Sequence, residues 1–217
     1  AELSVRLSDL TSSFNNNLLD ATQAWSRSFA SASDLPGVPK LLLQSMRESA
    51  KNKGFEGFLL TLDMPCYSAI LTYCEDVDIR KDIYIAYGTR ASDRGPNAGD
   101  FDNSQVIQEI LQARLKQSKL LGFESFSELS IQRKMARSVK EVLDFLFELG
   151  RQARPVAISE LAAIEAFAST TGAVLPLNPW DIAFYAERLK KSSFNISDEE
   201  LRPFFPVKKV MAGMFEV

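Results

Sequence analysis

Apolar residues recur at helical spacing along most of this 217-residue chain, and this periodicity most limits the folds open to it. Near the start, Leu3, Leu7 and Leu10 lie three or four residues apart, and Leu143 and Leu146 repeat the spacing later. The joints between such stretches are short, which implies antiparallel packing of neighbouring helices. The sequence therefore predicts a mostly α-helical, antiparallel scaffold.

The predicted helices share an apolar stripe and end near glycine, proline or a polar cluster. They cover residues 2–22, 40–52, 66–73, 78–90, 106–121, 124–135, 138–151, 158–171 and 180–191. The first could be broken at 15–17, where three asparagines follow one another. Pro155 predicts a break between two helices, because proline lacks the backbone N–H that a helix interior needs. Residues 197–200 form a predicted capping box, and Pro203 and Pro206 limit the short helix that it opens.

Two short stretches predict β-strands. Residues 55–63 are apolar and end at Asp63-Met64-Pro65, and residues 23–29 form a possible second extended piece. A lone strand cannot satisfy its own backbone groups, so 55–63 must pair with 23–29 or with sequence outside this chain. We expect a small sheet beside the helices.

The sequence contains no histidine. A histidine zinc site, a Ser–His or Cys–His nucleophile pair and a histidine general base are therefore excluded within these residues. Cys66 and Cys74 lie eight apart and match no close-spaced metal motif. On one helix they would be roughly 12 Å apart, too far for a disulfide. We expect two reduced structural thiols, no catalytic residue and no metal ligand in the chain.

Carboxylates are the remaining acid–base candidates, but those that cluster, such as Glu199 and Glu200, are sequence neighbours that do not share a helix face. Solvated surface charge is the favoured interpretation, and convergence in the fold is the alternative. Residues 100–111 weakly resemble a calcium loop, yet Leu111 stands where a bidentate glutamate is required. A helix N-cap at Asp102 or Asn103 explains that stretch better.

Composition narrows the possible partners. The net charge is −3 and the isoelectric point about 5.2, so no broad basic field for nucleic acid or anionic lipid is expected. No run reaches the roughly 18 apolar residues of a membrane span. We predict a cytoplasmic protein with no nucleic-acid or membrane partner, leaving open a targeting signal on a longer native N-terminus.

The aromatic cluster Trp180, Phe184 and Tyr185 could line a ligand groove. An aromatic stripe at this spacing is also typical of a helix face in the core. Both interpretations stay open from the sequence alone.

Several short motifs, read in order, are similar to one family. They lie at residues 17–22, 60–67, 86–93, 102–103, 119–123, 134–136, 180–185 and 201–206. Together they resemble the oligopeptidase A branch of the thimet-type zinc metallo-oligopeptidases over nearly the whole chain. Cys66, where serine is expected, and Gly88 are small departures from the family pattern.

The resemblance implies a zinc-binding His-Glu-x-x-His helix whose glutamate acts as general base, a further zinc-binding glutamate, and a later tyrosine and glycine-rich loop. No position here matches them, and we expect them downstream of Val217. The abrupt apolar ending suggests a lost partner surface. The resemblance thus implies zinc in the full-length parent and none in this chain.

The resemblance also implies an architecture and a role. Residues 1–75 would be a helix–strand segment at the edge of the catalytic lobe, and residues 76–217 a helical segment lining a deep channel for short peptides. We expect a non-catalytic scaffold and channel-wall fragment, inactive alone, whose partners are peptides and the remainder of the catalytic lobe. Trp180, Asp181 and Tyr185 are the channel candidates.

Two alternatives remain open. One is a stand-alone helical peptide-binding or regulatory protein derived from such an enzyme. The other is a helical interaction domain whose similarity is only ancestral. Saturable peptide binding without cleavage would favour the first.

Overall fold

The computed structural model describes residues 2–196 and 201–215, which form α-helices and one two-stranded antiparallel sheet. In chain order the elements are α1 (Glu2–Ala24), β1 (Ser26–Phe29), α2 (Lys40–Asn52), β2 (Phe58–Thr61), α3 (Met64–Tyr73), α4 (Val77–Gly88), α5 (Ser104–Leu120), α6 (Phe126–Ile131), α7 (Val139–Thr170), α8 (Pro179–Phe194) and α9 (Val207–Phe215). Short 3-10 turns occupy Ala32–Asp34 and Arg202–Phe204. The predicted mostly α fold with a small sheet is confirmed.

The chain forms two compact units. The first contains Ala1–Ser26, Thr61–Asp63 and Ile85–Glu160, and the second contains Arg27–Leu60, Met64–Tyr84 and Leu161–Val217. The division falls within α4 and α7. The sequence-based division at residue 75 concerns the lobes of a larger enzyme and stays a prediction.

In the first unit, α1 packs against α5, which continues into contacts with α6. A buried amide fixes the first of these contacts. Asn103, 2% exposed, donates from Nδ2 to the Phe14 carbonyl (3.0 Å) and accepts at Oδ1 from Asn17 Nδ2 (2.9 Å). The Arg6 guanidinium adds an exposed ion pair to Glu109 at 3.0 Å.

In the second unit, α3 packs against α8 and also contacts α2. The core is built from large aliphatic side chains that are at most 2% exposed, which include Leu35, Met46, Leu59, Leu60 and Ile70. Both cysteines are also buried there, Cys66 on α3 and Cys74 directly after it, in keeping with a structural role.

The sheet pairs β1 with β2 and depends on a glycine. Gly57 precedes β2 with a φ of +95°, and a Cβ built there would lie 2.2 Å from the Phe29 carbonyl oxygen. Only glycine permits both this backbone conformation and this close approach. The predicted strands 23–29 and 55–63 pair with each other, and both are shorter than predicted, at Ser26–Phe29 and Phe58–Thr61.

The predicted break at Pro155 is wrong, because α7 continues through it as one 32-residue helix. Proline removes one N–H donor, which would otherwise bind the Arg151 carbonyl. Residues 151–160 are all exposed, so water can satisfy that carbonyl. Strong helix-forming residues on both sides then keep the helix continuous.

The other predicted helix boundaries agree with the structure in some places and differ in others. α1 runs unbroken through the asparagines at 15–17, and α2 has the predicted bounds. α6 is shorter than the predicted 124–135. At the start of α5, Asn103 occupies the N-cap position, but the Asp102 carboxylate accepts from the Ser104 N–H at 2.9 Å. The capping box at 197–200 lies outside the described residues.

Candidate functional site

The three predicted channel residues lie in the first two turns of α8. Proline at position 179 begins the helix, and Asn178 is its extended N-cap residue. Trp180, Asp181 and Tyr185 follow, with Asp181 buried and the two aromatic residues half-buried. Asn178 Nδ2 donates to Asp181 Oδ2 at 3.3 Å, so the carboxylate is held close to the start of the helix.

Asp181 is one half of a buried ion pair with Arg80 of α4. Arg80 Nη2 donates to Asp181 Oδ1 at 2.6 Å, and the two side chains are 3% and 9% exposed. Charges removed from water to this extent must be paired, since an isolated buried charge is very costly. The pair therefore ties α4 to the first turn of α8.

The remaining donors of Arg80 bind backbone carbonyls. Its Nη1 donates to Cys74 (2.7 Å) and Glu75 (3.1 Å), and its Nε donates to Trp180 (3.2 Å). The carbonyls of Cys74 and Glu75 follow the end of α3. One guanidinium thus joins the end of α3, the second turn of α4 and the start of α8.

Two guanidinium groups stack on the Phe184 ring. The Arg80 guanidinium carbon is 4.0 Å from the Phe184 ring centroid, and that of Arg188 is 3.7 Å away. Tyr185 packs edge-on to Phe184 at 5.1 Å. Arg188 Nη2 also donates to Glu75 at 3.0 Å. These stacked cations extend the contact between α8 and the segment after α3.

Trp180 packs edge-on against Tyr84, with ring centroids 5.9 Å apart, and Lys81 Nζ lies 5.7 Å from its ring. Two polar atoms of α8 are buried without a hydrogen-bond partner among the described residues: Trp180 Nε1 and Glu187 Oε1. Buried donors and acceptors are normally satisfied. The Nε1 atom of the half-buried Trp180 and the Oε1 atom of Glu187 are exceptions to this pattern.

Arg80 and Arg188 are the residues of this cluster that sequence reasoning missed. An arginine on an amphipathic helix is expected at the surface, and Arg80 lies 101 positions from Asp181. The available signal was indirect: Arg80 follows Ile79 on the same buried part of α4. No local pattern links an arginine to a distant carboxylate.

The arrangement is suited to holding helices together. Arginine stays protonated and can only donate, and the Asp181 carboxylate is occupied by Arg80 and Asn178. Within residues 2–196 and 201–215, no group of three or more cysteine, aspartate or glutamate side chains could hold a metal ion. These residues do not fit a zinc site, and no metal-dependent step can be derived from them.

The Cys74 thiol belongs to a residue that contacts this cluster, because the Cys74 carbonyl accepts from Arg80. Burial raises the pKa of its thiol, and a hydrogen bond from the Asp76 backbone opposes this only in part. A raised pKa keeps the sulfur protonated and unreactive at neutral pH. Cys74 is therefore a buried thiol of the core.

A shallow pocket in the first unit is lined in part by Trp25, Arg90 and Asn97. Its cation is already engaged, because Arg90 donates to Thr22 Oγ1 and to the Tyr87 carbonyl, each at 2.9 Å. The Arg90 guanidinium also stacks 3.5 Å above the Tyr87 ring centroid. These contacts make Arg90 a link between α1 and the end of α4.

No helix within the described ranges is long and apolar enough to cross a lipid bilayer.

Comparison with known proteins gives a consistent result. The family model described as peptidase family M3 matches residues 70–217, more than half of the chain. Oligopeptidase A of Escherichia coli K12 is 46% identical over 216 residues, and that of Haemophilus influenzae is 45% identical over the same length. The probable cytosolic oligopeptidase A of Arabidopsis thaliana is 34% identical over 218 residues.

These matches cover nearly all of the chain and a minor part of each relative. They span 100% of the chain but 32% of either bacterial protein, and 96% of the chain but 30% of the Arabidopsis protein. The chain thus corresponds to about a third of the length of the relatives that it matches.

Proposed function

Because this chain belongs to peptidase family M3, a family of zinc metallopeptidases, we propose that it supplies scaffold and channel wall to an oligopeptidase that hydrolyses short peptides in intracellular peptide degradation. The carrying observation is its match, along its whole length, to one third of oligopeptidase A. The zinc of such an enzyme would be bound by residues outside these 217, and the chain alone is inactive.

Within this proposal, Trp180, Asp181 and Tyr185 belong to the part of α8 near the peptide channel. Asp181 acts indirectly, because its carboxylate is occupied by Arg80. It fixes the start of α8 and thereby the positions of Trp180 and Tyr185. Arg80, which holds the same helix through the Trp180 carbonyl, shares this positioning role.

The partners of the chain are then short peptides, met through the complete enzyme, and the rest of the catalytic lobe. We place the protein in the cytoplasm. The name of one plant relative describes it as probably cytosolic, whereas another is described as chloroplastic or mitochondrial. The acidic composition supports the absence of a nucleic-acid partner.

The test compares the isolated chain with a chimera. In the chimera, this chain replaces the matching 216-residue segment of Escherichia coli oligopeptidase A. We expect the chimera to cleave a quenched fluorescent peptide and to lose that activity with a zinc chelator. The isolated chain should neither cleave the peptide nor bind stoichiometric zinc.

Chelator-sensitive cleavage by the isolated chain would overturn the proposal. A folded chimera without peptidase activity would also count against it. Saturable peptide binding by the isolated chain, without cleavage, would favour a stand-alone peptide-binding protein instead. Fluorescence anisotropy with a labelled peptide measures that binding directly.

A further inference from the structure

An unusual apolar surface covers the part of α7 that lies in the first unit. Of the residues of α7, only Ala168 is buried. The large apolar side chains between positions 143 and 158 are 46–73% exposed, and they comprise Leu143, Phe145, Leu146, Phe147, Leu149, Val156 and Ile158. We call these residues the α7 surface. Exposed apolar surface of this extent marks an interaction site.

The α7 surface is wider than one docking contact needs. At 100° per residue, it covers an arc of roughly 220° around the helix, running from Phe145 through Leu146 to Ile158. An ordinary surface helix buries a stripe of about 100°. Outside this arc lie Asp144, Glu148 and Arg151, and the last two form an ion pair at 2.7 Å. This helix therefore has a narrow solvent face and a broad face that requires cover from more than one direction.

A glycine near the centre of the α7 surface also points to a close contact there. Gly150 lies inside α7, where glycine is less favourable than alanine. A Cβ built at Gly150 would meet nothing within 4 Å. Nothing among the described residues requires glycine there. Close approach of a further segment of polypeptide would require it.

We propose that the α7 surface is covered by the remaining two thirds of an oligopeptidase-length polypeptide, with the closest approach at Gly150. This inference rests on the proposed function and identifies the surface that joins this chain to the rest of the enzyme. Two facts favour this occupant over a second copy. The chain spans only 32% of its bacterial relatives, and a single two-fold contact would leave part of a roughly 220° arc exposed.

The test measures thiol accessibility in the chimera described above. Leu146→Cys places a thiol at the centre of the α7 surface, and Ser159→Cys places one on the solvent face of the same helix as a matched control. Because a packed thiol reacts only after local opening, we expect Leu146→Cys to react with a maleimide at least about tenfold more slowly than Ser159→Cys. In the isolated chain, the two thiols should react at similar rates.

A second pair of variants tests the close approach. Gly150→Met should lower the melting temperature of the chimera while leaving that of the isolated chain unchanged or higher, because methionine is a better helix former. Ser159→Met is the control and should leave the chimera unchanged.

Failure of this inference and failure of the proposed function give different experimental results. An active wild-type chimera in which the two thiols react equally fast keeps the proposed function and overturns this inference. A folded, inactive chimera removes the proposed function and the inference with it. Protection of Leu146→Cys in the isolated chain, with a dimer seen by sedimentation, overturns the inference in favour of a second copy.

Discussion

The Arg80 guanidinium donates to the Asp181 carboxylate across 2.6 Å inside the second unit, and it binds three backbone carbonyls with its other donors. The end of α3 and the start of α8 are therefore linked through one side chain of α4. Helices that pack through aliphatic contacts can slide or rotate slightly, whereas the four hydrogen bonds of this guanidinium restrict such shifts. This makes the pair the natural target for testing how the second unit is held.

Removing one partner of this pair should strongly destabilise the protein. Asp181→Ala leaves a buried, unpaired arginine, so we expect the free energy of unfolding to fall by about 3–5 kcal/mol. Urea denaturation followed by circular dichroism measures the change. Arg151→Ala removes an exposed ion pair of α7 and is the control, with an expected loss below about 1 kcal/mol. Equal effects of the two variants would contradict a central role for Asp181.

Gly57 should tolerate no side chain. Gly57→Ala would place a methyl group 2.2 Å from the Phe29 carbonyl oxygen at a φ of +95°, so the β1–β2 contact must open. We expect a loss of about 2 kcal/mol or more in the free energy of unfolding. Gly150→Ala, at a helical and open position, is the matched control and should stabilise the isolated chain by up to about 1 kcal/mol. A neutral Gly57→Ala would refute the steric argument.

Replacing Pro155 should stabilise α7. Pro155→Ala restores the N–H that can donate to the Arg151 carbonyl and removes the clash of the proline ring with the preceding turn. The unfolded chain gains some freedom, which offsets less than about 1 kcal/mol. We expect a net gain of roughly 2 kcal/mol, measured as a higher urea midpoint. A lower urea midpoint for Pro155→Ala would contradict this prediction, because it would show that Pro155 stabilises the folded protein.

Acid should weaken the contact between α1 and α5. Hydrogen bonds from Arg6 and then Gln105 lower the pKa of Glu109. A folded-state pKa below the unfolded value gives stability that is present above the unfolded pKa, about 4.3, and is lost as the pH falls through the folded pKa. Glu109→Gln should therefore be less stable than wild type at pH 7 and equally stable once the carboxyl is protonated in both states.

Denaturation midpoints between pH 7 and pH 2 measure this difference. Arg6→Gln removes the same ion pair from its other side and should show the same convergence at low pH. A gap between wild type and Glu109→Gln that stays constant over the whole range would contradict this assignment.

Much of the fold follows from local sequence signals. Lys40–Asn52 was predicted with its observed bounds because an apolar stripe, a preceding proline and Gly54 mark both ends. The need of residues 55–63 for a partner strand also follows, but the sequence leaves open whether that partner is 23–29. Pro155 shows the limit of prediction from local sequence, because the cost of its lost hydrogen bond depends on whether water reaches the Arg151 carbonyl. That exposure is a property of the fold and not of the neighbouring residues.

The candidate site was only half predictable. Trp180, Asp181 and Tyr185 were selected from their family resemblance and aromatic density, and these signals are local. Arg80, which pairs with the Asp181 carboxylate, lies on a helix distant in the sequence. Its burial could not be predicted, because charged side chains are usually exposed. Ion pairs formed between distant segments become visible only when the packing brings the two side chains together.

The amide of Asn103 has a consequence for the alignment of α1 on α5. A shift of one residue along a helix moves every side chain by about 1.5 Å and turns it by about 100°. Aliphatic contacts could re-form after such a shift, but the bonds from Asn103 to Phe14 and from Asn17 to Asn103 would both be lost. The buried amide thus favours one alignment of α1 on α5 over alignments shifted by one residue. A leucine at position 103 would keep the apolar burial but would lose this preference.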